Sequence, residues 1–118
     1  MNESARVRAI VKDWKTHHHP DGFTTKLEGQ AGLPDRLFIL NGASTYIEFK
    51  APRGAAAWQP LLTPLQDVTL REIDSAGARV FVGVVRGRTL ALWVLNMVNE
   101  WAEWIPAGDP QDVLDVAL

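Results

Sequence analysis

Gly32-Leu-Pro-Asp-Arg-Leu-Phe-Ile-Leu-Asn-Gly-Ala-Ser-Thr-Tyr-Ile-Glu-Phe-Lys50 reads as a β-hairpin. Residues 36–40 and 44–49 are short runs of Leu, Ile, Phe, Tyr and Thr, and the Asn41-Gly42 pair between them is preferred in a two-residue type I′ turn. With those two residues in the loop, Leu40 faces Ala43, and the same pairing sets Asp35 opposite Glu48. Directly opposed residues have Cβ atoms about 4.5–5.5 Å apart. Residues two apart on a strand share a face, so Lys50 joins Glu48. Leu37 and Ile39 lie on the face of Asp35, while Phe38 and Leu40 lie on the other, so the hairpin is expected to be covered on both sides.

Charged residues on strands usually face water, which is the ordinary account of a lone Glu-x-Lys. In a sheet covered on both faces, three converging charges need a reason. Two opposed carboxylates repel unless a cation sits between them or one keeps a proton. Mg²⁺ accepts one or two carboxylates and keeps several waters, and Mn²⁺ suits the same oxygen-rich geometry. The Lys50 ammonium, a compact point charge, would stabilise an attacking hydroxide or a phosphate oxygen in the transition state. The set points to metal-assisted phosphodiester hydrolysis.

The rest of the chain reads as support for the hairpin. Val7, Ile10, Val11 and Trp14 recur at helical spacing, so residues 3–15 form an amphipathic helix. Its Arg6, Arg8, Lys12 and Lys15 make either a solvated face or a surface for phosphates. His17-His18-His19-Pro20-Asp21-Gly22 resembles a metal cluster, but consecutive histidines on an extended segment point in alternating directions and Pro-Asp-Gly marks a turn, so it reads as a loop. Residues 23–27 read as a first strand that brings Lys26 near the hairpin. Residues 51–62 form a long loop in which Arg53 would pair with a phosphate and Trp58 would stack on a base or fold onto the core. Thr63-Pro64 caps a helix running to about Ser75, stopped by Gly77, with Leu65, Val68 and Ile73 facing the sheet. Gln66, in its first turn, both donates and accepts and would orient the attacking water.

Residues 79–85, a nearly continuous apolar run, predict a buried strand reached through that crossover helix. Leu90, Val94, Leu95, Val98, Trp101 and Ile105 follow helical spacing and predict a closing helix. With Trp93 and Trp104 it carries more tryptophan than one helix in a small domain buries, which suggests a protein surface. Residues 106–118 read as an acidic, loosely ordered tail.

At 118 residues the chain is expected to be a single domain, 1–118, with its core at about 1–105. The absence of cysteine excludes disulfides and thiolate metal sites. No stretch approaches eighteen consecutive apolar residues and no signal-peptide core is present, so the expectation is a cytoplasmic protein without a membrane partner. The net charge of -2 is unevenly distributed: residues 1–88 hold all 12 Lys and Arg and carry +3, whereas residues 89–118 carry -5. That asymmetry is compatible with DNA on one side.

Gly-Leu-Pro-Asp35, Ile-Glu48-Phe-Lys50-Ala-Pro with twelve residues between Asp35 and Glu48, Thr63-Pro-Leu-Gln66 and Gly77-Ala-Arg-Val-Phe-Val together resemble the VRR-NUC branch of the PD-(D/E)xK nucleases over about residues 1–88. The resemblance implies an α/β fold with a restriction endonuclease-like core: an N-terminal helix and a central mixed β-sheet with a hairpin, flanked by helices. It implies a metal-dependent DNA endonuclease with Asp35, Glu48, Lys50 and Gln66 as catalytic residues. Asp35, Glu48 and the Phe49 carbonyl would bind Mg²⁺ or Mn²⁺, with Glu3 as a further acidic ligand. Lys26, Arg36 and Arg53 are the candidate DNA contacts. Small stand-alone members resemble phage or mobile-element proteins acting as homodimers on branched DNA, in the manner of Holliday-junction resolvases. The alternative is a catalytically inactive nuclease-fold module that binds DNA or another protein, since a fold does not establish turnover.

Overall fold

The computed structural model describes residues 3–52 and 61–118. It is an α/β fold in which one six-stranded mixed sheet lies between helices. The elements are α1 (Glu3–Asp13), a π-helical turn (Trp14–His18), β1 (Phe23–Lys26), β2 (Arg36–Leu40), β3 (Ala43–Lys50), α2 (Pro64–Ser75), β4 (Arg79–Arg86), β5 (Thr89–Leu95), β6 (Trp101–Gly108) and α3 (Pro110–Ala117). The strands lie side by side in sequence order. Every neighbouring pair is antiparallel except β3 and β4, which run parallel through the α2 crossover.

The β2–β3 hairpin has the register expected of its turn, with Leu40 opposite Ala43 and Arg36 opposite Ile47. Asn41 and Gly42 both have positive φ, 52° and 79°, the requirement of a type I′ turn. Alternation then assigns the two faces. Phe38, Leu40, Ile47 and Phe49 join Val7, Val11 and Trp14 of the N-terminal helical segment and Val113, Leu114 and Ala117 of α3 in the main core. On the other face, Leu70 of α2 packs with Val80 and Val82, flanked by Tyr46, Ile73, Trp93 and Trp101.

Four expectations are corrected. Residues 89–108 form the β5–β6 hairpin, not a closing helix. Leu90, Val94 and Ile105 fit a strand's alternation as well as a helix's spacing. Asn96 decides between them: its side chain accepts the N–H groups of Val98 and Glu100, and Asn99 takes φ 59°, so the chain turns back. The proposed acidic tail is the end of β6 followed by α3, whose Asp109 side chain caps the amides of Gln111 and Asp112 and whose apolar side is buried.

His17 and His18 are helical, not in a loop, because the N–H of His19 reaches the Trp14 carbonyl five residues back. The Lys15 ammonium donates to the carbonyls of Pro20 and Gly22 and so holds the turn below. Trp14, fully buried and edge-on to Phe38, fixes the same turn from inside. His17 and His18 both approach Asp13, while His19 reaches Asp115 on α3.

Lastly, α2 is rotated from the expected phase. Leu65 and Val68 are 51% and 52% exposed, and the helix side facing the sheet is Gln66, Leu70 and Ile73. Positions i, i+4 and i+7 share one side of a helix. The rotation therefore puts a glutamine where the stripe meets the open end of the sheet.

Candidate functional site

Asp35 leaves the loop after Pro34 one residue before β2 begins, so it lies at the end of the hairpin opposite the Asn41-Gly42 turn. Its backbone carbonyl accepts from the Leu27 N–H, and its Oδ2 accepts from the Phe49 N–H at 2.9 Å. Continuing the β2–β3 register by one step sets Asp35 across from Glu48. Gly32 holds the preceding loop against α2, since a Cβ there would lie 2.7 Å from Thr69 Oγ1 and 2.8 Å from Leu65 Cγ.

Glu48 is 2% exposed and paired with Val82 of β4 in the sheet interior. Its Oε2 accepts from Gln66 Nε2 at 3.2 Å and lies 3.3 Å from Lys50 Nζ. Its Oε1 is buried with no hydrogen-bond donor among the described residues. Burial, and then the nearby charge of Asp35, push the carboxyl up to about 7, against the opposing pull of Lys50 and of the Asp35 backbone. A carboxylate so placed needs a counter-charge that Lys50 only partly supplies.

Gln66 ties the helix to the strand. Its Oε1 accepts from Lys50 Nζ at 3.0 Å and from the Thr63 N–H at 3.0 Å, while its own N–H donates to Thr63 Oγ1 at 3.2 Å. This is a reciprocal capping box, and Thr63-Pro-Leu-Gln66 is its sequence signature. Both acceptor lone pairs of the amide oxygen are thus used, and one amide proton goes to Glu48. These bonds align Lys50 and Glu48 and use one of the two amide protons of Gln66. Thr63 is the residue that motif reading overlooked: it was legible as an N-cap, but its role in fixing the Gln66 side chain depends on where α2 docks.

The four expected catalytic residues are therefore brought together at the C-terminal end of β3. Phe49 presents its N–H to Asp35. Because N–H and C=O of one strand residue point to the same neighbour, its carbonyl is directed to that same edge. Among the described residues no group of three or more His, Cys, Asp or Glu converges. One or two carboxylates with a carbonyl and waters nevertheless meet the needs of Mg²⁺ or Mn²⁺. The unpartnered Glu48 oxygen and the pressure between the two carboxyls fit a divalent cation.

The expected DNA contacts are placed differently from the acids. Lys26 and Arg36 are directly opposed on β1 and β2, and Arg36 pairs with the core residue Ile47, so both lie on the α1 side of the sheet and not on the Glu48 side. They do share its end of the sheet, with Lys26 3.6 Å from Glu28 at the surface. Arg53 and Trp58 fall outside the described residues, as does the side chain of Glu3. Among the described residues no helix is long and apolar enough to cross a membrane. Comparison of the chain with protein-family models and with curated proteins returns no match.

Proposed function

We propose that the chain is a metal-dependent endonuclease that hydrolyses DNA phosphodiester bonds, of the PD-(D/E)xK type that its motifs resemble. The observation that carries the reading is Glu48: a buried carboxyl with one oxygen lacking a donor, pressed against Asp35 and held by Lys50 and Gln66. Such a costly arrangement has a use when a cation and a phosphate complete it.

Asp35, Glu48 and the Phe49 carbonyl would hold Mg²⁺ or Mn²⁺, which supplies a Lewis acid and a water of lowered pKa. The reaction adds water across a P–O bond: hydroxide bonds to phosphorus, the bond to the departing sugar oxygen breaks, and that oxygen takes a proton. Lys50, already 3.3 Å from Glu48, places its charge where the phosphate oxygens gain negative charge. Gln66 keeps the ammonium there through the Thr63 capping box, and its second amide proton is available to the incoming water. Branched DNA as substrate and a homodimer as the acting form rest on the resemblance.

Incubation with four-way junction, flap and duplex DNA in Mg²⁺ or Mn²⁺ tests the reading. Cleavage is expected in wild type, falling by about 10²-fold or more in Lys50→Ala and Asp35→Asn, the scale of removing a transition-state charge partner. Folded protein that cleaves none of these with either metal overturns it.

A further inference from the structure

The strand registers place more cations at the catalytic end of the sheet than the motif residues account for. Lys26 and Arg36 close the β1–β2 ladder at this end, Lys50 ends β3, and the Arg86–Thr89 pair closes the β4–β5 turn there. Arg88 is exposed in that turn. Arg6, on the first turns of α1, joins it in lining a groove of about 360 Å³ that Ile10, Gly87 and the start of α3 complete. Neither Arg6 nor Arg88 makes a hydrogen bond or ion pair among the described residues.

Two acids also line this groove, but each is engaged elsewhere. Asp13 faces His17 and His18, and Asp109 caps the first amides of α3. The two guanidinium groups are the groove's cations and, unlike the two acids, have no partner among the described residues. They belong to the α1 side of the sheet, as do Lys26 and Arg36, whereas Asp35, Glu48 and Lys50 lie on the α2 side of the same end. The cations thus flank the acids along the strand order, Lys26 and Arg36 toward β1 and Arg88 with Arg6 toward β5.

We propose that Arg6 and Arg88 are a second phosphate contact, gripping the DNA backbone on the β5 side of the reacting phosphate while Lys26 and Arg36 grip it on the β1 side. Strands are about 4.8 Å apart, so the β4–β5 turn stands roughly 5–10 Å from β3 before side-chain length is added. Guanidinium groups suit this task because their planar fork pairs with phosphate oxygens. The assignment rests on the nuclease reading and adds the path of the substrate across the sheet.

The test is binding of fluorescein-labelled duplex and four-way-junction DNA by anisotropy between 50 and 200 mM salt, for wild type, the double variant Arg6→Gln/Arg88→Gln, the charge-keeping Arg6→Lys/Arg88→Lys, and Arg79→Gln at the far end of β4. The glutamine double variant should lose about two from the slope of log affinity against log salt, and roughly tenfold in affinity on any sequence. The lysine pair should retain most of the slope, and Arg79→Gln should leave it at the wild-type value. Circular dichroism establishes that each variant is folded. A wild-type slope in the folded glutamine variant overturns the assignment while leaving the nuclease reading intact if wild type cleaves in parallel. An equal loss in Arg79→Gln also overturns it, by showing that only net charge matters. Wild type that neither binds nor cleaves DNA ends both.

Discussion

The β2–β3 and β5–β6 hairpins are built from similar residues and share the main core, but they differ in the charges they carry. In β5–β6 the side chains mainly pack and brace the sheet, although the buried indole N–H of Trp93 has no acceptor among the described residues. Leu90 and Leu92 fill the main core, and Trp101 packs beside Leu70 while its indole N–H donates to Asp67 at 2.9 Å. That bond, ahead of Arg71, holds the Asp67 carboxyl below the usual range. Arg71 in turn spans Asp67 and the Asn99 carbonyl, so α2 is locked to the hairpin turn. In β2–β3 the open end leaves a buried carboxyl short of donors beside a second acid. Both hairpins fill the main core, but β2–β3 also carries a buried pair of acids at its open end. A residue pair that works against folding in one place is tolerated because the apolar cores on both faces of the sheet stabilise it.

The contrast can be broken from either side. The largest effect on stability is expected from Leu92→Ala, which removes a fully buried side chain from the main core: about 2–5 kcal/mol lower unfolding free energy by urea titration. A loss below 1 kcal/mol would mean that β5–β6 does not brace the sheet.

Glu48→Gln should act in the opposite direction, and only at higher pH. The folded protein holds its proton up to about 7, above the ordinary value of 4.5, so the contribution of Glu48 to stability is fully present below about 4.5 and is lost as pH rises through about 7. At 1.36 kcal/mol per unit of pKa difference, the cation-free variant should gain on wild type by up to roughly 3 kcal/mol between pH 4.5 and pH 8. Adding Mg²⁺ or Mn²⁺ should return part of that difference to wild type, since a ligand of the folded state stabilises it. Parallel unfolding curves across that pH range without metal would remove the claim that the carboxyl is under pressure.

The smallest effect is expected from Trp101→Phe, which keeps an aromatic, though smaller, ring and deletes the donor to Asp67. A loss of about 1 kcal/mol, with DNA cleavage unchanged, would show that the Asp67 network is structural. A cleavage defect without a stability change would instead tie β5–β6 to the site.

These outcomes bear on how much of the molecule could be read in advance. Asn41-Gly42 states its turn in two residues, and the turn carries the register with it, so the Asp35–Glu48 juxtaposition was legible. The second hairpin has no such pair. Its turn depends on an Asn96 side chain accepting two amides across a five-residue loop, while its apolar residues fit two periods equally well. The helix phase of α2 differs from expectation for a related reason: Leu65 and Val68 are apolar yet exposed, and hydrophobicity alone does not say which side of a short helix meets the sheet.

What the sequence determined by itself is local and covalently close: the type I′ turn, the Thr63 cap, the acids with twelve residues between them, and the charge difference between the two ends of the chain. Only the tertiary structure decided that Gln66, not Leu65, leads α2 onto the sheet, that Glu48 is buried with one oxygen unpartnered, and that Lys26 and Arg36 lie on the opposite face of the sheet from Glu48. Turns and caps are set by hydrogen bonds within a few residues. The face a side chain occupies, and the solvation of its charge, depend on which distant segments cover it.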